Sequence, residues 1–329
     1  MPMLLQTIRF CLVSGAILAA SLAIAGLLGS LVPLFDLFNH AQILLFPATL
    51  LGLVIVALAL RGTLRSVALI YVFVGFAASA NVMLPEFAAA LQTRPAAPAR
   101  GTITMMTHNL FGMNYQMAQV TAAIQAEDPD IIGLQEYFGE QATDLHPRLL
   151  AEYPFFARCR GGKRANLGLY SRLPFEQVQD GACPNNAYVT DRTGHILARF
   201  QADGDKPFSV LTTHMDWPIP VDRQREQLAA LSAVVDEIEG PLILAGDFNS
   251  TPWSYALRAF VAGNGLVRET MNLLTFPMSW HYLGAWRDTV PFLPLDHVMT
   301  RGGVVVHQIG LGRPTASDHL PVVFRFSVP

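Results

Sequence analysis

The stretch that decides the fold is Leu242-Ile243-Leu244-Ala245-Gly246-Asp247-Phe248-Asn249-Ser250-Thr251-Pro252. Its apolar half is typical of a buried strand, which ends abruptly in a carboxylate, a carboxamide and a turn. Asp247 and Asn249 are two residues apart, so on extended backbone both side chains point the same way and can reach one ligand. A structural turn is the alternative, because Asp, Asn, Ser and Pro all favour turns.

The same pattern, an apolar strand with a titratable group at its end, recurs at three places. It occurs in Asp130-Ile131-Ile132-Gly133-Leu134-Gln135-Glu136, in Ser209-Val210-Leu211-Thr212-Thr213-His214 and in Ala316-Ser317-Asp318-His319-Leu320-Pro321, which precedes an apolar run. Helical spacing over 117–126 and 227–238 separates some of these strands, whereas other strands follow one another directly. The mixture predicts an α/β fold of layered sheets with outer helices rather than a barrel.

The first third of the chain has the composition of a membrane segment. The 329 residues are 52% hydrophobic and only 14% charged. No charged residue lies between Arg9 and Asp36, from 41 to 60, or from 66 to 85. Each stretch reaches the roughly 20 residues that a membrane-spanning helix needs, and none shows the polar face of a helix in a soluble bundle. We therefore expect three transmembrane helices.

The loop charges predict the orientation and the domain organisation. Arg9, Arg61 and Arg65 lie at the ends that should stay inside, so the part after residue 85 faces the extracytoplasmic side of the inner or plasma membrane. A cleaved signal peptide in place of the first span is the alternative, and it leads to the same side. We expect a membrane anchor over 1–85, a linker rich in Pro and Ala over 86–100 and a catalytic domain over 101–329.

Two cysteines, Cys159 and Cys183, lie beyond the linker. An oxidising compartment would permit a disulfide between them, and two buried free thiols fit the sequence equally well. Neither lies at zinc-site spacing from a His or another Cys, so metal binding by this pair is not expected.

The polar groups at the strand ends suit metal-assisted hydrolysis of a phosphoester. Oxygen donors predominate, and carboxylate and carboxamide oxygens are the ligands that Mg²⁺ prefers, with Mn²⁺ as the alternative cation. An imidazole held by a carboxylate is a suitable general base for activating water. The groups concerned are Asn109, Glu136, His214, Asp247, Asn249, Asp296, Asp318 and His319.

Together these motifs resemble the endonuclease/exonuclease/phosphatase superfamily, whose members share the deoxyribonuclease I fold. The resemblance implies a four-layer α/β sandwich of two packed mixed sheets flanked by helices. The resemblance extends from about Gly101 to the C-terminus. The matching segments, in family order, are Thr107-His108-Asn109, Leu134-Gln135-Glu136, Thr213-His214, Gly246-Asp247-Phe248-Asn249, Leu295-Asp296-His297 and Ser317-Asp318-His319-Leu320-Pro321. Phe111 departs from the pattern of apurinic-site endonucleases, which carry an acidic residue there, and this weakens a DNA-repair interpretation.

The resemblance implies a role for each matching residue. It implies that Glu136, Asn109 and Asp318 form the metal site. It further implies that His319 is the general base and that Asp296 orients it. Asp247 and Asn249 would hold the attacking water and a phosphate oxygen, and His214 would stabilise the leaving side. His297 is a candidate supporting residue, whereas His108 is expected to be structural.

Substrate contacts are expected outside these motifs. The candidates are Arg160 and Arg164 in a basic loop, Arg223 after the His214 strand, and Trp253. Acidic side chains outnumber basic ones beyond the linker, which disfavours avid binding to long nucleic acids. We expect a membrane-anchored phosphodiesterase or phosphatase without a protein partner, acting on a phosphoester such as a phospholipid. An extracytoplasmic nuclease acting on extracellular nucleic acid and a non-catalytic binding module of the same fold are the alternatives.

Overall fold

The computed structural model describes residues 2–98, 101–161, 164–178, 194–201, 207–282 and 285–329. By packing, the chain forms two compact units. The first unit contains Met1–Gln92 together with Thr251–Arg258, and the second contains Thr93–Ser250 together with Ala259–Pro329. Cys183, the candidate partner of the buried Cys159, lies outside the described residues.

The first unit is built on three long apolar helices. These are α1 (Pro2–Leu27), α2 (Gln42–Ala59) and α3 (Gly62–Ala90), and two short 3₁₀ segments, Leu28–Ser30 and Pro33–Ala41, join α1 to α2. Small residues let the helices approach closely: a Cβ on Gly75 would lie 2.5 Å from the Cα of Ala20. Three stretches, Met3–Ser30, Pro33–Ala59 and Gly62–Ala90, are long and apolar enough to cross a membrane, as expected from the sequence.

The second unit contains two six-stranded mixed sheets. The first sheet has the order β13-β14-β1-β2-β4-β3. Its strands are β1 (Ile103–Asn109), β2 (Ile131–Gln135), β3 (Phe155–Cys159), β4 (Leu167–Ser171), β13 (Val305–Leu311) and β14 (Val322–Ser327). Strands β1 and β2 are parallel, and β14 and β4 pair antiparallel on either side of them.

The second sheet has the order β5-β6-β7-β8-β12-β9. Its strands are β5 (Phe175–Gln177), β6 (His195–Phe200), β7 (Phe208–His214), β8 (Leu242–Asp247), β9 (Val267–Arg268) and β12 (Asp296–Arg301). Here β7 and β8 are parallel, with β6 and β12 antiparallel on either side. A separate hairpin joins β10 (Ser279–Tyr282) to β11 (Ala285–Asp288).

The two sheets pack face to face, and the helices cover their outer faces. The core between the sheets contains Met105 and Phe324 from the first sheet and Val210 and Ile243 from the second. Helices α4 (Met117–Glu127) and α5 (Gly139–Leu149) cover the first sheet, where they pack around Ile132. Helices α6 (Val221–Asp236) and α7 (Tyr255–Gly263) complete the set. The expected four-layer α/β fold is therefore confirmed.

Several short elements have no counterpart in the sequence prediction: α5, α7, β3, β5, β9 and the β10–β11 hairpin. Helix α6 also begins at Val221 rather than at Gln227. Its first turns are largely polar, so the apolar periodicity becomes visible only from Leu228, which is one of the buried positions of this helix.

Candidate active site

Strand pairing brings several of the polar strand ends together. In the second sheet, His214 at the end of β7 lies opposite Asp247 at the end of β8. Asp247 in turn lies opposite Asp296, the first residue of β12. In the first sheet, Asn109 at the end of β1 lies beside Gln135, which immediately precedes Glu136. The loop before β14 supplies the remaining pair, Asp318 and His319.

The backbone is bent sharply at these strand ends. Glu136 has a φ of 52° and Asn249 a φ of 47°, both in the left-handed region. Such conformations cost about 1–3 kcal/mol for most residues and persist where the surrounding structure imposes them. Gly246 has a φ of 154°, and a Cβ there would lie 2.0 Å from the carbonyl oxygen of Thr213. A glycine at this position therefore lets β8 approach β7 immediately before Asp247.

A carboxylate holds the imidazole of His319. The Asp296 Oδ2 atom lies 2.8 Å from His319 Nδ1, and both residues are buried. Burial alone would lower the pKa of His319, but the charges of Asp296 and Asp247 outweigh it and raise that pKa to about 10. Asp296 accepts the Nδ1 proton. The second ring nitrogen, Nε2, faces Asp247, whose Oδ2 atom is 3.8 Å away.

Asp247 lies at the centre of the site. It accepts hydrogen bonds from the Asn109 side-chain amide at 2.9 Å and from the Asn249 backbone N–H at 2.7 Å. Burial would raise its pKa, but His319 and His214 dominate and hold the pKa well below its usual range. Asp247 is therefore an ionised carboxylate, and its fixed oxygens can orient a bound water.

His214 faces hydrogen-bond donors. Its Nε2 atom lies 2.8 Å from Arg164 Nη1 and 3.3 Å from Asn249 Nδ2. The guanidinium of Arg164 thus presents its N–H groups and its positive charge toward this ring. The stabilisation of the leaving side by His214 stays a prediction.

Arg164 is buried instead of lying on a surface loop. Only 6% of its side chain is exposed, its Nε donates to Asp216 Oδ1 at 2.8 Å, and its Nη1 lies 3.6 Å from Glu136 Oε1. It thus joins Glu136 of the first sheet to His214 of the second. The sequence placed Arg164 among the substrate contacts from its basic loop, but it contained no sign of this bridging position.

Glu136 and Asp318 are the carboxylates best placed for a cation. Glu136 is 22% exposed, and its Oε2 atom accepts the Gly112 N–H at 2.6 Å. Burial raises the pKa of Asp318 to about 6; His319 opposes this rise, while the charges of Glu136 and Asp247 add to it. Among the described side chains of the site, carboxylates outnumber cations, and this excess of negative charge fits a divalent metal ion.

The candidate ligand atoms differ in whether they already form hydrogen bonds within the protein. The oxygen of Asn109 accepts the Phe111 N–H at 2.9 Å, so a metal contact would use its second lone pair. Asp247, Asp296 and His319 also form a compact group, with one donor atom of each within 4.8 Å of the others. Asp296 and His319 already bond each other, whereas Glu136 is partly exposed and Asn109 is buried.

The other predicted substrate contacts are spread more widely. Arg160 is exposed. Arg223 is half exposed, and its Nη1 atom lies 3.9 Å from Asp216 Oδ2. Trp253 belongs to the first unit, where only 2% of it is exposed and its indole packs beside Val82 and Met83. The indole thus packs within the first unit, and a substrate contact of Trp253 stays a prediction.

The sequence analysis missed the residues that hold Arg164. Asp216 bonds the guanidinium, and two glutamines of α6 fix Asp216 in turn. Gln227 Oε1 accepts the Asp216 N–H at 2.8 Å, and Gln224 Nε2 donates to the Asp216 carbonyl at 2.7 Å. The available signal was the spacing of Asp216, two residues after His214, which resembles that of Asp247 and Asn249.

Comparisons with known proteins agree with this geometry. A relative from Vibrio campbellii, a UPF0294 protein, is 27% identical over 134 residues, which are 40% of this chain and 44% of the relative. The chain thus matches less than half the length of this curated relative.

Solved structures share the fold. An endonuclease/exonuclease/phosphatase from Bacteroides vulgatus has a TM-score of 0.55 and 20% identity, covering 70% of this chain and all of that one. Sphingomyelinase C from Streptomyces griseocarneus has a TM-score of 0.50 and 18% identity, covering 69% of this chain and all of that one.

The decisive comparison is with a family model. The model described as the endonuclease/exonuclease/phosphatase family matches residues 106–319. This interval contains each motif residue from Asn109 to His319 and covers well over half of the chain. The protein therefore belongs to the endonuclease/exonuclease/phosphatase family.

Proposed function

We propose that this protein is a membrane-anchored, divalent-metal-dependent phosphoester hydrolase whose second unit lies on the extracytoplasmic side. The family is hydrolytic and acts on phosphoesters, generally with divalent metals. One observation carries the proposal: four groups lie at one site. They are the imidazole of His319, which Asp296 holds, the ionised Asp247, and the carboxylates of Glu136 and Asp318.

The chain supplies the groups that activate water. Asp247 binds the water and orients it with a carboxylate whose Oδ2 atom is held by Asn109 and whose Oδ1 atom is held by the Asn249 backbone N–H. The Nε2 atom of His319, once deprotonated, accepts the proton of the attacking water, and Asp296 stabilises the imidazolium that forms. Asn249 and Arg164 donate hydrogen bonds toward the charge that develops on the phosphoryl oxygens.

A divalent cation would complete the site. Glu136, Asp318 and Asn109 are the residues that would hold it, and it would supply Lewis-acid polarisation of the phosphoryl oxygen. Mg²⁺ matches this set because its donors are oxygens, and Mn²⁺ would serve in the same set. A cation held by Asp318 would also lower the pKa of the neighbouring His319 toward neutrality, as the general-base role requires.

A phosphodiester of the phospholipid type is the substrate that we favour. Only a short linker separates the apolar helices from the second unit, so the site is tethered to a bilayer. The acidic balance of the catalytic part gives little electrostatic affinity for a long polyanion. The sphingomyelinase among the structural relatives is compatible with this choice. The Arg residues at 9, 61 and 65 support the extracytoplasmic orientation.

The test uses the full chain in detergent micelles with bis-p-nitrophenyl phosphate. We expect turnover that EDTA abolishes and that Mg²⁺ or Mn²⁺ restores. Asn249→Ala should lose at least tenfold in kcat, because it removes the side-chain amide that lies 3.3 Å from His214 Nε2 and donates to the Met215 carbonyl at 2.9 Å. His307→Gln is the matched control, since His307 bonds Ser327 and Pro95 outside the site.

A second arm compares a phospholipid in mixed micelles with plasmid DNA. Faster hydrolysis of the lipid supports the proposed substrate class, and faster cleavage of DNA supports the nuclease alternative. No turnover of any phosphoester with either cation would contradict the proposal and favour the non-catalytic binding module.

A further inference from the structure

The segment Thr251–Arg258 packs with the membrane helices, although it follows the catalytic turn directly. It belongs to the first unit, whereas the residues on both sides of it belong to the second. Thr251 is only two residues beyond Asn249, and the carbonyl of the intervening Ser250 lies 2.8 Å from His297 Nε2. Contacts that fix Thr251 therefore limit the backbone conformations that Asn249 can adopt.

A carboxylate of the membrane unit caps the start of α7. Asp36 lies in the 3₁₀ segment Pro33–Ala41, and its two oxygens accept the backbone N–H groups of Tyr255 and Ala256 at 2.6 and 3.0 Å. These are two of the N–H groups that a helix leaves without partners at its start. A negative charge is also favoured at this end of the helix dipole. Asp36 is 4% exposed, so the contact is shielded from water.

Asp36 is itself held by a chain of buried amides. Asn39 Nδ2 donates to Asp36 Oδ1 at 2.8 Å and to the carbonyl of Gly26 at 3.0 Å. Gln42 Nε2 donates to Asn39 Oδ1 at 3.2 Å. Ionisable residues in membrane segments are costly, and they are generally present for a specific purpose. This network fixes the Asp36 carboxylate in the direction of α7.

Two further contacts hold the same segment. His40 Nδ1 lies 3.1 Å from Thr251 Oγ1 and 3.3 Å from its backbone nitrogen. Trp253 packs against Val82 and Met83 of α3. If all three apolar helices cross the membrane, the loop after the first helix and the residues after the third lie on the same side, which these bonds require.

We propose that Asp36 and His40 are positioning residues for the reaction: through Thr251–Arg258 they hold the turn that carries Asp247 and Asn249. Asn249 has a left-handed φ of 47°, and a turn of this kind needs restraint on both sides. His297 restrains the Ser250 carbonyl on the side of the second sheet, and the membrane unit restrains Thr251. The proposal rests on the proposed function, because it concerns the same turn.

The consequence is that the helices contribute to catalysis as well as anchoring the protein. An isolated helix of nine residues is marginal, and its start depends on partners from outside the helix. Loss of the Asp36 cap should destabilise the start of α7. The turn at Asn249, two residues before Thr251, should then become less ordered as well. Neither Asp36 nor His40 touches the reacting groups, so a variant should bind substrate normally and react slowly.

The experiment compares Asp36→Ala, Asp36→Asn and His40→Ala with the wild type, all as full chains in detergent micelles. Glu140→Ala is the matched control, because Glu140 is an exposed acid in the first turn of α5. The first measurement is the rate of tryptic cleavage after Arg258, mapped by mass spectrometry. The second is kcat and KM for bis-p-nitrophenyl phosphate at saturating Mg²⁺.

We expect Asp36→Ala to raise cleavage after Arg258 at least tenfold and to lower kcat about tenfold, with KM changed less than twofold. Asp36→Asn, which keeps one acceptor oxygen, and His40→Ala should show smaller changes in the same direction. Glu140→Ala should match the wild type in both measurements.

Faster cleavage with an unchanged kcat would assign Asp36 a structural role only and overturn the proposal. Unchanged cleavage would show that Asp36 does not hold the segment, and would overturn it as well. If the wild type itself turns over no phosphoester, the proposed function fails and the positioning role fails with it. The proteolysis still reports whether Asp36 holds α7, so the two failures are distinguishable.

Discussion

The two sheets of the second unit are built on the same plan but differ in what their strand ends carry. Each has a central parallel pair, β1–β2 or β7–β8, with antiparallel neighbours. The first sheet ends in Asn109 and Glu136, and Glu136 is partly exposed. The second sheet ends in His214 and Asp247, both buried and bonded to protein groups.

The difference in exposure separates two kinds of chemistry. A carboxylate that is open to solvent can exchange water for a metal ion, so we propose the first sheet as the cation side. A carboxylate that is fully enclosed and already bonded has a fixed orientation, so we propose the second sheet as the side that activates water. His319 joins the two, because it precedes β14 of the first sheet and bonds Asp296 of the second. The comparison can be tested one sheet at a time.

The largest effect is expected in the second sheet. Asp247→Asn keeps the shape of the side chain but removes the charge that orients water and faces His319. We expect kcat for bis-p-nitrophenyl phosphate to fall about 10³-fold, with an unchanged Mg²⁺ concentration for half-maximal rate. Asp236→Asn, at the exposed end of α6, is the control. A large change in the Mg²⁺ requirement of Asp247→Asn would break the division between the sheets.

The next effect is expected in the first sheet. Glu136→Gln removes one anionic ligand, so the Mg²⁺ concentration for half-maximal rate should rise at least tenfold. We expect kcat to fall about 10²-fold at low Mg²⁺ and to recover partly at high Mg²⁺. A titration of rate against Mg²⁺ tests this, with Glu140→Gln as the matched control. A loss that no Mg²⁺ concentration relieves would place Glu136 with the second sheet instead.

A smaller effect is expected at the side chain that joins the sheets. Arg164→Met keeps much of the length of the side chain but removes its bonds to His214 and Asp216. We expect kcat to fall about tenfold, because a hydrogen-bond donor for the developing phosphoryl charge is lost. Arg148→Met, at an exposed ion pair of α5, is the control. An equal kcat in the Arg164→Met variant and the control would contradict the bridging role of Arg164.

The smallest effect concerns the free energy of unfolding, whose dependence on pH should receive a similar contribution from one buried histidine in each sheet. Burial lowers the pKa of both His108 in β1 and His297 in β12 to about 3. The unfolded chain therefore binds more protons than the folded one below pH 6.5, so stability falls as the pH drops from about 6.5 toward 3. Each histidine can contribute up to about 1.4 kcal/mol per pH unit.

His297→Gln and His108→Gln should each flatten the dependence of Tm on pH across that range. The measurement is Tm from pH 7 to pH 5, compared with His307→Gln, which alters a partly exposed histidine. An undiminished slope in either variant would show that its histidine is not held neutral in the folded state.

The sequence was sufficient to predict the strand ends and the apolar helices, because both are recognised from neighbouring residues in the chain. An apolar run followed by a polar group marks a strand end wherever it occurs, so Glu136, His214 and Asp247 could be identified without coordinates. Uncharged runs likewise identified the three apolar helices. Short elements such as β9, with two residues, carry too little periodicity to be recognised.

The tertiary structure decided what these groups do to one another. The bond between Asp296 and His319 joins side chains that are 23 positions apart, and the contact between Arg164 and His214 joins side chains 50 positions apart. Trp253 and Arg164 had suggested substrate contacts, but one is buried in the first unit and the other bridges two strand ends.

The chain by itself thus determined the fold class, the apolar helices and the kinds of groups available for catalysis, because hydrophobic periodicity and strand-end chemistry depend on neighbouring residues. Only the folded structure decided which carboxylate orients an imidazole, which one remains open to a cation, and that Asp36 caps a helix 219 residues away. Burial and electrostatic coupling depend on distances in space, and these are set when the sheets and helices pack.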